Sequence, residues 1–323
     1  MRVIRVREVG PPQVLKIEEA AELAPGVGQV VVAVERAGVI YADTIVRSGR
    51  FPFPRPFVPG HEVAGTVTAV GPEVDSSLLG RRVVATTVGM SGGYAEQALA
   101  EAVNVHPVPD GLALEHAVAV FSAGAVAVGL LGAMPVSRGE TVVVTAAAGR
   151  IGLLLVQLAK AAGATVIGAA GGPEKLAAAR ESGADAVVDY RTADWAGQVR
   201  ELTGGGADLV LDAIGGDIGA QAFDALADGR GRLGVYGFTS GTWTAVDMPQ
   251  LLRRGLTVAG PMGMIMTKTQ AAQRADVEHA LNAASAGQLI PRIHAAYLLE
   301  NAAQAHEDLE QRRIIGAIHL VVG

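Results

Sequence analysis

Cysteine is absent from the 323 residues. Its absence excludes disulfides, thiolate nucleophiles and every cysteine-ligated zinc or iron–sulfur site. Basic residues are scarce relative to acidic ones. Lys and Arg number 26 against 32 Asp and Glu, a formal charge of −6, so the basic face that a nucleic-acid partner requires is not expected. No apolar run is expected to reach the ~18 residues of a membrane span. The opening MRVIRVREVG alternates polar and apolar residues and has no signal-peptide core. Internal repeats, charge blocks and low-complexity linkers are also missing. What the chain has is length for two ordinary domains or one large one, and 50% hydrophobic residues for a sizeable core. These properties point to a cytoplasmic globular protein with neither a nucleic-acid nor a membrane partner.

The first third reads as short β segments, with candidates at 30–34, 62–70 and 82–86. Gly and Pro clusters such as 51–56 separate them and interrupt any helix. The spacing predicts a compact, antiparallel, barrel-like unit. Near residue 112 the pattern changes to Ala-rich helical spacing at 114–131. From 141 onward strands and helices alternate. The apolar run 141–147 is followed by a helix at 150–162 that stops at Gly163, then by a strand at 164–170 and a helix opening at Pro173. Further strands at 186–190, 207–213 and 232–238 complete a βαβ series, which calls for a doubly wound parallel sheet. In the tail, 269–286 and 300–312 read as helices and 294–298 and 317–322 as strands, so the C-terminus is expected to rejoin the N-terminal β unit.

The segment Thr145-Ala146-Ala147-Ala148-Gly149-Arg150-Ile151-Gly152 lies where a strand ends and a helix begins. Small residues let the backbone turn tightly and approach a pyrophosphate, and the helix N-terminus offers free N–H groups and a positive dipole end. Any tight βα turn needs glycine, but the order strand, turn, helix, second strand points to a dinucleotide site. NAD sites usually place an acid about 20 residues after the turn to bind the ribose 2′-hydroxyl. Residues 167–172 here read Ile-Gly-Ala-Ala-Gly-Gly, with no carboxylate, and Lys175 follows. The missing acid removes repulsion against a 2′-phosphate, and a well-bonded lysine adds roughly 1.5–3 kcal/mol of attraction. NADPH is therefore favoured. Tyr190 ends the third strand, where its hydroxyl would reach the same phosphate. The structural alternatives are a solvated lysine at a helix start and a half-buried strand tyrosine.

Several segments together resemble the medium-chain dehydrogenase/reductase superfamily, and within it the zinc-free quinone oxidoreductase branch. They are the opening Val9, Gly10, Pro11, Pro12, Gln13, Val14, Leu15; the stretch 38–44 with Arg47, Ser48 and Gly49; the Gly60-His61-Glu62 segment; Gly93-Tyr94-Ala95-Glu96; and the turn 146–152, with Arg150 in place of a glycine. The resemblance spans essentially the whole chain. It implies an α/β fold in which a GroES-like β-barrel catalytic domain, 1–122 and 262–323, is split around a Rossmann domain, 123–261, with a doubly wound parallel sheet. It also implies an active site in the cleft between them, NADPH as cofactor, and a homodimer formed through the Rossmann domains. The cofactor residues it implies are Ala148, Gly149, Arg150, Ile151, Gly152, Gly171, Lys175, Tyr190, Asp212, Gly237, Phe238 and Thr239. Gly215 lies in the same loop as Asp212, and Gly172 replaces a small hydroxyl residue often found in relatives.

Zinc-dependent members of the superfamily hold the metal with two cysteines and the histidine of the Gly-His-Glu segment. Ile40 and Ser122 stand at the cysteine positions, which leaves His61 alone, whereas a catalytic zinc needs about three protein ligands. Histidines 106, 116, 279, 294, 306 and 319 show no metal-like spacing with His61, so no metal site is expected. Without a Lewis acid, alcohol oxidation is disfavoured and hydride delivery to an electron-poor acceptor is retained. Tyr41, Asp43 and His61, with Arg47 nearby, are the catalytic candidates. Their structural alternatives are wall packing for Tyr41, an Asp43–Arg47 pair, and a bond from His61 to the barrel backbone. Ile40, Phe51 and Val126 each replace a polar residue common in relatives, which makes the expected pocket apolar and suits a small hydrophobic electrophile. The function implied is NADPH-dependent, zinc-free hydride transfer to a quinone or activated enone. The alternatives are an enoyl or keto reductase dedicated to a polyketide-like substrate, and an NADPH-binding protein with little turnover.

Overall fold

The computed structural model describes residues 1–322. The chain begins with β1 (Arg2–Arg5), β2 (Lys16–Glu19), β3 (Gln29–Val39), α1 (Tyr41–Arg47), β4 (Glu62–Val70), β5 (Arg82–Thr86), β6 (Gln97–Glu101), β7 (Val105–Pro107) and α2 (Leu114–Ala133). It continues through β8 (Thr141–Val144), α3 (Arg150–Ala161), β9 (Thr165–Ala170), α4 (Pro173–Glu181), β10 (Ala186–Asp189), α5 (Trp195–Thr203), β11 (Leu209–Asp212), α6 (Gly216–Asp224) and β12 (Arg232–Val235). The remainder is α7 (Met248–Arg254), β13 (Thr257–Ala259), α8 (Pro261–Met266), α9 (Gln270–Ser285), β14 (Ile293–Leu298), α10 (Ala302–Glu310) and β15 (Ala317–Val321).

One unit comprises Met1–Ser122 and a C-terminal segment that starts at Ala280. Its seven-stranded sheet has the order β14-β15-β3-β4-β5-β7, with β6 also paired to β3. Every pairing is antiparallel except β14 with β15. Val30, Val32 and Val34 of β3 and Val63 and Val67 of β4 interleave in its core. Each such fully buried aliphatic side chain contributes about 1.5–3 kcal/mol through lost water contact. The C-terminal return is completed by β15, which pairs with β3 from Val39 to Arg36. This is the largely antiparallel β unit that the spacing of β segments in the sequence predicts.

The other unit is Ala123–His279. Its six parallel strands run β10-β9-β8-β11-β12-β13, so the order reverses direction at β8, as in a Rossmann fold. The central strands are buried on both faces: Val142–Val144 and Leu209–Leu211 are 0% exposed, which is why they read as unbroken apolar runs. The expected return at 262 lies instead at Ala280. Residues 257–279 stay with the parallel sheet because β13 pairs with β12, Ile265 packs against Gly129 and Lys268 forms an ion pair with Asp276.

A second correction concerns α2. It is long and apolar enough, by length and composition, to cross a membrane, although no run of that kind was expected. Ala117, Val118, Val120, Phe121, Ala127 and Leu130 are at most 2% exposed, so its hydrophobicity supplies core packing.

At the carboxyl ends of β8 and β11 a single carboxylate gathers the connecting loops. Asp212 is completely buried. It accepts from the Thr145 hydroxyl at 2.7 Å, the N–H groups of Ile214 and Gly215 at 3.0 Å each, and the Thr244 hydroxyl at 2.6 Å. Thr145 in turn accepts from the Ala213 N–H at 3.0 Å. Removing the carboxylate leaves several buried donors without an acceptor, each costing about 1–3 kcal/mol. Asp212→Ala is therefore expected to destabilise the protein by about 3 kcal/mol or more. Urea denaturation followed by tryptophan fluorescence checks this; a change under ~0.5 kcal/mol would place it among ordinary surface substitutions and contradict the role.

Candidate active site

The turn from β8 into α3 is built from close backbone approaches. Ala146 adopts φ +48°, a left-handed conformation that a residue with a Cβ rarely takes. Its carbonyl accepts from the Gly149 N–H at 2.8 Å, which closes the turn. A Cβ at Gly152 would lie 2.2 Å from that same carbonyl oxygen, so only glycine lets α3 start this close to the strand. Gly149 is the N-cap of α3 and bonds through no side chain. The first N–H groups of the helix, at Arg150, Ile151 and Gly152, thus stand at its N-terminus together with the positive end of the dipole. Ala148 is buried behind them.

The end of β9, the strand paired with β8, leads into a second glycine turn. Gly172 has φ +99° and caps α4, and Lys175 sits half-buried in the first turn of that helix. A Cβ on Gly171 would lie 3.0 Å from the Tyr190 ring, and one on Gly172 would lie 3.3 Å from both terminal nitrogens of Arg191. The two glycines therefore keep open a ledge between the chain and these side chains. Sequence reasoning missed Arg191. Its Nε donates to Asp189 Oδ1 at 3.0 Å and its Nη2 to Asp189 Oδ2 at 2.6 Å, and the Gly172 N–H donates to the same carboxylate at 3.2 Å. The bond from Arg191 leads the causes that hold the Asp189 carboxyl down at about 2.

The loops after β11 and β12 are joined to each other. The Thr239 and Ser240 N–H groups donate to the carbonyls of Ala213 and Ile214 at 3.1 and 2.9 Å. Gly237 is packed so tightly that a Cβ would stand 2.8 Å from the Ala213 carbonyl oxygen. Phe238 is partly exposed and stacks on Trp243, with ring centroids 4.2 Å apart. The Asp212 carboxylate is held by protein donors, so it positions these loops.

The three catalytic candidates have different surroundings. Tyr41 opens α1, with the Arg50 guanidinium 5.6 Å from its ring centre and Nη1 3.4 Å from its hydroxyl. Asp43 is buried. It caps α1 by accepting from the Ile40 N–H at 3.0 Å and takes the Tyr94 hydroxyl at 3.0 Å. The ion partner of Arg47 is Glu310, and Arg47 also donates to the Gly10 carbonyl, which revises the expected pairing with Asp43. His61 is half-buried, and its carbonyl accepts from the Thr87 N–H at 2.9 Å. Beside it Glu62 is fully buried, and the Ser122 hydroxyl donates to Glu62 Oε2 at 2.6 Å. Among the described residues no three His, Asp or Glu side chains are grouped to hold a metal ion.

His306 completes the Asp43 network. Tyr94 has one proton and gives it to the Asp43 carboxylate, so His306 Nε2 donates to the Tyr94 oxygen at 3.1 Å. That tautomer leaves the buried Nδ1 unprotonated and without a hydrogen-bond partner. Burial first, and the nearby Arg47 second, push the imidazole from its usual 6.5 down to about 3. The unfolded chain takes up this proton near pH 6.5, whereas the folded protein refuses it until about pH 3. Stability from this group is therefore complete above pH 6.5 and is lost as the pH falls toward 3. His319, pushed to about 4 chiefly by burial, acts in the same direction. The denaturation midpoint is expected to fall between pH 7.5 and pH 5. His306→Gln, which keeps an N–H donor toward Tyr94, should flatten part of that slope, and an unchanged slope would count against the assignment.

Comparison with known proteins agrees with this architecture. Residues 26–110 match the alcohol dehydrogenase GroES-like domain family and residues 151–286 the zinc-binding dehydrogenase family. A quinone oxidoreductase of Pseudomonas aeruginosa is 36% identical over 98% of this chain and 98% of its own. A 2-haloacrylate reductase from a Burkholderia species is 33% identical over 98% of this chain and 97% of its own. The solved structure of a mycobacterial protein complexed with NADPH superposes with a TM-score of 0.91 at 35% identity, covering 99% of this chain and 100% of that one. With near-complete coverage at these identities, and with both units folded as described, the chain belongs to the medium-chain dehydrogenase/reductase superfamily, in its quinone oxidoreductase-like branch, and is an oxidoreductase.

Proposed function

We propose that this oxidoreductase transfers hydride from NADPH to a quinone or to an alkene conjugated with an electron-withdrawing group, and that it does so without zinc. The observation that carries the reading is the cradle of two glycine turns: a close backbone turn at 146–152 leading into a helix N-terminus, and a ledge at Gly171 and Gly172 flanked by Lys175 and Tyr190. A diphosphate fits the N–H groups of Arg150, Ile151 and Gly152, and a 2′-phosphate fits the ledge. The mycobacterial relative complexed with NADPH supports the same choice.

A reduced nicotinamide supplies the hydride, so the protein's task is to bind, orient and exclude water. Gly237, Phe238 and Thr239, on the loop joined to the Asp212 loop, would hold that end of the cofactor. Tyr41 and His61 orient the acceptor's oxygen. Asp43 is assigned a positioning role, because its carboxylate caps the helix that begins with Tyr41. The donor set supports zinc independence. Ile40 offers no ligand, the Ser122 hydroxyl is bonded to Glu62, and His61 alone falls short of the about three protein ligands of a catalytic zinc. The acceptor class is supported by the quinone oxidoreductase and 2-haloacrylate reductase relatives, both named for electron-poor substrates.

A second copy of the chain is the proposed partner. β13 forms an outer edge of the parallel sheet and exposes backbone donors and acceptors ready to pair. Leu252 before it and Met266 after it are 79% and 73% exposed, a combination that favours burial against an identical face.

Two outcomes are expected. NADPH oxidation followed by absorbance should proceed with quinones or α,β-unsaturated ketones, with little activity on NADH and no response to added zinc or chelator; activation by zinc or confinement to saturated alcohols would overturn the reading. Light scattering should return twice the chain mass, and Met266→Asp combined with Leu252→Asp should shift it toward the monomer; a wild-type monomer at micromolar concentration would remove the partner assignment.

A further inference from the structure

We propose that Arg191 is the residue that selects for the 2′-phosphate of the cofactor, and that Asp189 serves to hold its guanidinium over Gly172. This rests on the NADPH reading and adds a discriminating residue to it.

The argument starts from charge. The end of β9 carries no acid, but the structure brings one there from the next strand. Asp189, the last residue of β10, accepts from the Gly172 N–H and so places an ionised carboxylate beside the ledge. Alone, that carboxylate would repel a 2′-phosphate and suit a ribose hydroxyl, which can donate to it. Arg191 changes its sign. The guanidinium binds both carboxylate oxygens through Nε and Nη2, and both of its terminal nitrogens stand 3.3 Å from the Cβ position of Gly172. The remaining terminal nitrogen, Nη1, makes no hydrogen bond to protein among those described. Its donors are therefore available to a ligand at the ledge, beside which the Tyr190 ring also stands.

An exposed ion pair two residues apart adds little to stability. As a binding device it has a clear function. The fork of an arginine keeps one edge for the carboxylate and offers the other to a phosphate oxygen in a fixed plane, which a lysine does not. Gly172 has no side-chain donor to contact the phosphate, and the Arg191 guanidinium occupies the space above it.

Calorimetric titration of the full-length protein with 2′,5′-ADP and with 5′-AMP tests this, since the two ligands differ only in the 2′-phosphate and no turnover is involved. Wild type is expected to bind 2′,5′-ADP at least about tenfold more tightly than 5′-AMP. Arg191→Ala should weaken 2′,5′-ADP about 30-fold while 5′-AMP stays within about twofold, which also reports that the variant is folded. Arg191→Lys should recover only part of the loss. Adding Asp189→Asn to Arg191→Ala should regain several-fold, because the uncovered carboxylate is then gone. Equal binding of the two ligands by wild type overturns the NADPH reading together with this proposal. A wild-type preference that survives Arg191→Ala overturns the proposal alone. A double variant no better than Arg191→Ala removes the role given to Asp189.

Discussion

A buried carboxylate needs enough donors around it to replace water, and the parallel-sheet unit is arranged around that requirement at Asp212. Its donors come from three places: Thr145 at the end of β8, the backbone of Ile214 and Gly215 just beyond β11, and Thr244 in the loop after β12. None of these segments can shift without leaving the charge under-solvated, and such a loss is more costly than that of an ordinary hydrogen bond. The carboxyl edge of the sheet is thereby fixed where the strand order reverses, and that is where ligands of open α/β sheets bind. The turn at Ala146 starts one residue after Thr145, so its strained left-handed backbone is anchored by the same knot.

The β unit solves a similar problem with the opposite allocation of charge. Asp43 is satisfied by a backbone N–H and a tyrosine, and the tyrosine is satisfied by a histidine that must stay neutral. Arg47, one turn further along α1, is buried too, and its charge is matched by Glu310 of α10. Two polar sets thus tie a seven-residue helix into a core that is otherwise aliphatic. A helix that short is marginal by itself, so Tyr41 owes its placement to tertiary bonds rather than to local propensity.

Much of the architecture was legible because periodicity is local. The strand at 62–70 and the helices opening at Arg150 and Pro173 lie where apolar spacing, glycine and proline put them. The missed elements lacked those signals. α1 has Ile40 at its N-cap and takes its capping carboxylate from Asp43 inside the helix. β13 has three residues, too few for a period, and the boundary at 262 that the resemblance implies leaves out nearly all of α8 and much of α9, which stay with the parallel-sheet unit up to His279. Within the site, sequence placed Asp212 correctly at a strand end but not the direction of its side chain. That direction is set by partners such as Thr145, 67 residues away. Arg191 escaped notice because the charge at the end of β9 comes from the neighbouring strand, and strand adjacency is a property of the sheet.

The same accounting bears on chemistry. The conspicuous buried acids of the β unit, Asp43 and Glu62, are bonded to protein hydroxyls, and the acid of the sheet unit, Asp212, is enclosed by donors of its own loops. Carboxylates engaged in this way accept hydrogen bonds that hold the geometry, and placing a proton on them would disturb the bonds that fix α1 or the Asp212 loops. A reaction that relied on strong general-acid catalysis would need such a group left uncommitted. Hydride delivery to an acceptor that is already electron-poor places its main demand elsewhere, on the relative placement of cofactor and acceptor. A protein whose polar side chains are so largely committed to rigid placement of turns, loops and one short helix is physically matched to that demand.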